Sequence, residues 1–279
     1  MTSIRLKRRR ENIVITLLAV LLGVVLIFPL LYAFFGSFKS TAEFATGSSG
    51  LLPQSFLNFD NFAAVFRKIP LGRYFFNSLA VALLGTLVRM ACAVLAAYAF
   101  TFFEFRGKKP LFFLLLGSMM IPGDTLLITN YLTVSSMGLL NTYIGMCITS
   151  FVGASQMFML RQKFRTLKKD YRDAAEIDGC GDFAFIWFIL LPMARPILLT
   201  LVVQSFVTLW NAYLWPLLVT SEDSMRTIQV GITMLTSVED SNYPLVLAGV
   251  VLAIIPSFLL FLFLRKNIVK GITTGALVG

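Results

Sequence analysis

The amino-acid sequence predicts an all-α, polytopic membrane protein with six transmembrane helices and both termini in the cytoplasm. Three observations predict it. Of 279 residues, 57% are apolar and only 14% charged, and mean hydropathy is +0.81. The apolar residues gather in repeated runs near twenty residues long, the length that crosses a bilayer as a helix whose backbone hydrogen bonds are met internally. The basic residues gather in alternate connections between those runs, which fixes an orientation.

Taken in order, Arg5, Lys7, Arg8, Arg9 and Arg10 lie in a basic segment, 1–12, ahead of a first run over 13–35. A cleaved signal peptide also starts basic, but its apolar core is shorter and ends at a small-residue cleavage site, so a first transmembrane helix is expected. Residues 36–73 are polar and rich in Gly, Ser, Phe and Asn, and predict a folded extracytoplasmic loop with short helices such as 58–66. Further runs cover 75–103, 111–129, 142–160, 197–219 and 245–264. Ile121-Pro122-Gly123-Asp124 breaks the third run near its outer end. The membrane domain thus spans 13–265, with a cytoplasmic loop at 161–195 and a cytoplasmic tail at 266–279. Eighteen basic residues fall in the segments assigned inside, against five in those assigned outside.

Composition excludes several functions. There is no histidine, which removes serine–histidine and cysteine–histidine catalysis. Cys92, Cys147 and Cys180 are scattered, so neither a metal site nor a disulfide framework is expected. The net charge of +10 is explained by topology, and no nucleic-acid partner is expected, because phosphate contacts need a solvated basic face.

Two groups of polar residues lie at membrane depth. Arg89 sits mid-run and admits two readings: pairing with a carboxylate or carbonyl of a neighbouring helix, or lining a solute pathway. Trp210, Asn211 and Tyr213 form either an interfacial aromatic belt with one buried amide or a sugar-facing wall.

The loop at 161–195 holds seven basic and five acidic residues. Within it, Tyr171, Ala174, Ala175, Ile177 and Asp178 recur at helical spacing and predict a short helix with a small, shallow face suited to docking in another protein's groove. Gly179 and Gly181 stop that helix. At these residues the sequence resembles the integral permease subunits of ATP-binding-cassette importers. Their signature, EAA…G…I.LP, matches Asp173-Ala174-Ala175, then Gly179, then Ile189-Leu190-Leu191-Pro192. Aspartate replaces the commoner glutamate, and Lys168 stands where a proline often precedes the helix. Segments 37–40, 77–83, 95–100, 105–107, 120–124, 138–145, 210–217 and the tail from Lys270 are similar to the carbohydrate-uptake branch, the maltose-type second permease.

The resemblance implies the type I importer permease fold in a bacterial-type inner membrane. It implies that a coupling helix containing Asp173, Ala174, Ala175, Asp178, Gly179 and Gly181, with Pro192 beyond it, sits in a cleft of the ATPase subunit. Lys270 and Gly271 would also reach toward the ATPase dimer. The partners implied are that dimer, a second permease, an extracytoplasmic solute-binding protein and membrane lipid. No GxxxxGK[ST] phosphate loop is present, so ATP and magnesium belong to the partner, and this chain is expected to carry no cofactor and to be no enzyme. Substrate class stays open among sugars, polyols and glycerol phosphates. An ATPase-independent secondary transporter is the competing reading; it predicts inverted repeats and ionisable pairs near the midplane.

Overall fold

A computed structural model of the chain describes residues 2–48, 50–167, 170–236 and 242–276, with side chains described from 12 to 263 within those limits. The described residues form helices and connecting turns, with no strand among them, and helices long and apolar enough to span a membrane are Asn12–Gly36, Leu71–Phe102 and Tyr243–Phe263. Three bent pairs complete six spans if each pair is one crossing.

The chain divides into two compact units. The first comprises 1–71 and 232–254. It holds α1 (Thr2–Gly36), α2 (Thr41–Thr46), α3 (Asp60–Lys68) and the start of the last helix, which runs Tyr243–Ala276. Its loop is folded, for identifiable reasons. Ser40 and Glu43 form a capping box at the start of α2. The Glu43 carboxylate also accepts from the Gln54 N–H at 2.7 Å. The buried Asn61 amide donates to the Ser37 and Lys39 carbonyls, both at 2.8 Å. Phe38 is ringed by Phe34, Phe56, Phe59 and Phe62 at centroid distances of 5.2 to 5.9 Å. This explains why so polar a connection is also rich in phenylalanine.

The second unit comprises 72–231 and 255–279. Its axis is α4 (Leu71–Phe102), whose small buried residues Ala82, Ala93 and Ala97 let neighbouring helices approach. Then come α5 (Lys108–Ser118), α6 (Leu127–Ser136), α7 (Tyr143–Cys147), α8 (Ala154–Arg165), α9 (Asp170–Ile177), α10 (Asp182–Phe185), α11 (Leu191–Met193), α12 (Arg195–Trp210), α13 (Leu214–Val219) and α14 (Ile228–Thr233). The last long helix is α15.

The third span is longer than the apolar run, reaching Ser136, and it is broken in its middle. The pieces 108–118 and 123–136 meet at 92°, because Pro122 has no N–H to give and takes an extended backbone. The fourth span bends by 52° between Ser150 and Ala154. The fifth differs most from expectation. Its helix ends at Trp210, and 214–219 form the separate α13. Pro216 removes the bond that would close onto the Ala212 carbonyl, and it is tolerated only in the first turn of a new helix. At its other end α12 meets the segment 182–193 at 89°. That segment widens to a π-turn over Ile186–Leu190, where the Pro192 ring would otherwise press on the Phe188 carbonyl.

α7 illustrates how tightly the pieces seat. A Cβ at Gly145 would overlap the Leu139 carbonyl oxygen, whereas one at Gly117 would meet nothing within 4 Å. Gly145→Ala is expected to lower stability by about 1–3 kcal/mol. Gly117→Ala should be neutral or stabilising by up to about 1 kcal/mol, since alanine is the better helix former. Thermal unfolding of the two variants in detergent, followed by tryptophan fluorescence, checks the contrast.

Candidate functional site

The loop after α8 folds into α9 and α10, and one side chain joins them to the membrane helices. Arg172 faces inward from α9. Its Nε donates to Glu176 Oε1 at 2.8 Å, one turn along the helix. Its Nη2 lies 2.7 Å from Asp182 Oδ1 on α10, and its Nη1 donates to the Tyr98 hydroxyl on α4. Tyr98 in turn donates to the same Asp182 oxygen at 2.6 Å. The guanidinium carbon also lies 5.4 to 5.9 Å from the ring centroids of Tyr98, Phe102, Phe103 and Phe185, within cation–π range. A planar cation with five donors suits this mix of carboxylate, hydroxyl and aromatic partners.

One turn further, Ala175 shares the inward face and is 5% exposed, packed in the core with Phe164, Phe185 and Leu190. The opposite face is free. Asp173, Ala174 and Asp178 are exposed, and Ile177 is 87% exposed. The expected small docking face is therefore split: Ala174 is on the surface and Ala175 beneath it, as a 100° step per residue dictates.

The helix stop is a Schellman motif. The Gly179 N–H bonds to the Glu176 carbonyl at 3.0 Å and the Cys180 N–H to the Ala175 carbonyl at 2.8 Å. Gly179 has φ +77, the left-handed region that favours glycine. Gly181 has φ −71 and ψ 165, a conformation open to any residue, and serves as N-cap of α10. Pro192 lies exposed in α11.

Arg89 lies across the break of the fourth span, its Nε donating to the Ser150 carbonyl at 2.6 Å. That carbonyl ends the helical turn before the bend, so the arginine supplies a partner at a break in the backbone ladder. Trp210, Asn211 and Tyr213 are adjacent in sequence but separate in environment. Trp210 is 1% exposed, stacked on Phe206 and edge-on to Phe75. Asn211 and Tyr213 are exposed in the break between α12 and α13, and Asn211 Oδ1 accepts from Gln229. Lys270 and Gly271 are on the backbone of α15, but their side chains lie outside the described residues.

Polar residues with no sequence assignment hold the far end of this unit. Asn77 donates to the Ser224 and Arg226 carbonyls at 2.9 Å and accepts from the Tyr143 hydroxyl at 2.8 Å. Asn141 accepts from the Ser221 and Glu222 N–H groups.

The family model described as "binding-protein-dependent transport system inner membrane component" matches residues 5–273. The chain belongs to that family. Its members are permease subunits of importers and not enzymes in themselves. Among curated relatives, the arabinooligosaccharides permease AraQ of Bacillus subtilis (strain 168) is 28% identical over 270 residues, 96% of each chain. The sn-glycerol-3-phosphate permease UgpE of Agrobacterium fabrum is 31% identical, over 93% of this chain and 95% of its own. Among solved structures, a chain of a bacterial ABC transporter that imports the acidic polysaccharide alginate has the same fold. Its TM-score is 0.82 at 22% identity, covering 92% of this chain and 96% of that one. In this inner-membrane permease the helix within the loop at 161–195 is fastened by a residue, Arg172, outside the family's sequence signature.

Arg172→Met is expected to leave the Asp182 carboxylate and Tyr98 hydroxyl short of a partner. The cost is about 2 kcal/mol for hydrogen bonds to charged groups, reduced because Asp182 is 43% exposed. Arg172→Lys should restore little, since an ammonium cannot fork. Hydrogen exchange across 170–182 measures the effect: faster exchange in both variants, with the helices of 71–102 unchanged.

Proposed function

We propose that this chain is one membrane half of an ATP-driven, binding-protein-dependent importer of a carbohydrate or related polar solute. α9 acts as the helix that docks on the ATPase subunit. The observation that carries the reading is the two-sided construction of α9. Asp173, Ala174 and Ile177 are offered outward, while Arg172 and Ala175 fasten the same helix to α4 and α10. A push on the outer face would reach α4 and α12 through packed side chains, so ATPase closure would bias the membrane domain between inward-open and outward-open states.

In this reading the ATPase dimer hydrolyses ATP with magnesium, a second permease completes the pathway, and a solute-binding protein delivers solute from outside. Membership of the family supports the last of these directly. The eighteen-to-five charge asymmetry supports cytoplasmic placement of both termini, of the loop at 161–195 and of the tail at 266–279. Relatives named for arabinooligosaccharides, lactose and diacetylchitobiose support a carbohydrate. Others named for sn-glycerol-3-phosphate keep a phosphorylated polyol as the second reading. Asn211 and Tyr213, exposed at the α12–α13 break, are the proposed pathway residues. Arg89 and the buried Trp210 act from behind them, by holding the broken backbone and the packing.

Ala174 gives the cleanest test, because it is exposed and a larger side chain there disturbs nothing inside the chain. Ala174→Trp is expected to weaken ATPase co-purification at least about tenfold, equivalent to about 1.4 kcal/mol, and to reduce uptake in parallel. The thermal stability of the isolated chain should be unchanged. Normal co-purification with normal uptake would refute the docking role.

A further inference from the structure

A second feature of the unit formed by 72–231 and 255–279 is unrelated to α9. Where α5 begins beside the end of α8, a cleft of about 840 Å³ is lined by Glu104, Lys108, Lys109, Arg161 and Arg165 with Phe105, Phe112 and Phe113. Its one carboxylate is already matched: Lys108 Nζ lies 2.9 Å from Glu104 Oε1 and also donates to the Phe103 carbonyl at 2.7 Å. Lys109, Arg161 and Arg165 have no carboxylate within ion-pair distance among the described residues. Arg161 and Arg165 are four apart on α8, a spacing that sets like charges against each other.

The geometry of Arg161 adds a direction. Its guanidinium carbon lies over the Phe112 ring, 3.9 Å from the centroid, and its Nε donates to the Phe100 carbonyl at 3.3 Å. The ring holds the fork in place, while its terminal amino groups have no protein acceptor among the described residues. Gly107, the N-cap of α5, offers no side-chain acceptor, and the first turn of α5 carries no acid. The helix end therefore adds its positive pole to the same cleft. Immediately along α5 the surface becomes apolar, with Leu111 47%, Phe113 69% and Leu114 68% exposed. In a membrane protein that surface faces acyl chains.

A phosphate-sized group of cations at the membrane edge, continuous with an apolar wall, suits a molecule that is anionic at one end and hydrocarbon at the other. We propose that this cleft binds the headgroup of an anionic phospholipid from the surrounding membrane. Lys109, Arg161 and Arg165 hold the phosphate, and Phe113 and Leu114 lie along the first acyl chain. Basic clefts between membrane helices are a recurring form of lipid recognition.

Native mass spectrometry of the full chain, released from micelles doped with equal amounts of dioleoyl-phosphatidylglycerol and dioleoyl-phosphatidylcholine, tests this without any partner subunit or transported solute. Its outcome is therefore separable from that of the transport reading. The wild-type chain is expected to retain phosphatidylglycerol preferentially. Lys109→Gln and Arg165→Gln, both at exposed positions, should each cut that preference roughly fivefold, whereas Lys68→Gln, a charge distant in sequence and outside the cleft, should leave it intact. Arg161→Lys keeps the charge and lies outside the exposed pair, so retention in it separates loss of charge from loss of fold. Equal retention of the two lipids, or an unaltered preference in both Gln variants, would overturn the proposal. Displacement of the lipid by millimolar inorganic phosphate would also overturn it, in favour of a soluble phosphate site.

Discussion

The contact on which the loop at 161–195 depends is the one between Arg172, Asp182 and Tyr98. Two neighbouring elements, α9 and α10, meet the sequence-distant α4 at one guanidinium. Phe185 of α10 also packs on the rings of Tyr98 and Phe102 of α4. α9 has eight residues, too few for a helix to be stable alone in water. It owes its order to the Arg172 fork, the inward Ala175 and the Schellman stop at Gly179. An ion pair at a half-exposed site contributes little by Coulomb attraction alone. Here the carboxylate is shared with a tyrosine hydroxyl, and aromatic rings surround the cation, so its weight lies in geometry as much as in charge.

The membrane helices obey a different constraint. Hydrocarbon leaves no partner for a freed backbone group, so every break must be repaired from within. Pro122, Pro192 and Pro216 cause breaks, and each lies where the interrupted helix gives way to a turn or a new helix. Arg89 repairs another by donating to the Ser150 carbonyl. Broken helices are costly, and here one leaves polar and aromatic residues such as Asn211 and Tyr213 exposed between α12 and α13. In the proposed importer that exposure is where solute would pass.

Much of this was legible in the sequence. Run lengths and basic clustering predicted a helical membrane protein, and the order of Asp173, Ala174, Ala175, Gly179 and Pro192 pointed to the transport family. The split of the fifth run at 211–213 was not legible, because Trp210 to Val219 is uniformly apolar enough to pass as one helix, and only the ring of Pro216 disagrees. Arg172 was hidden among the other basic residues of the loop. Its signals were weak: Glu176 four residues on, and Tyr98 near the end of the second apolar run. The inward turn of Ala175 follows from helical geometry once Arg172 is known to face the core. Gly179 and Gly181 looked equivalent as letters, and only backbone angles separate them.

In the proposed importer, α9 passes motion to the membrane helices through Arg172. The most direct measurement is the ratio of ATP hydrolysed to solute imported by the fully assembled transporter in proteoliposomes, with Arg172→Met in this chain. If α9 still docks but is no longer fastened to α4 and α10, hydrolysis continues while import fails, and the ratio rises by about tenfold or more. A ratio equal to that of the unaltered transporter, whether both rates fall together or neither changes, would contradict the account.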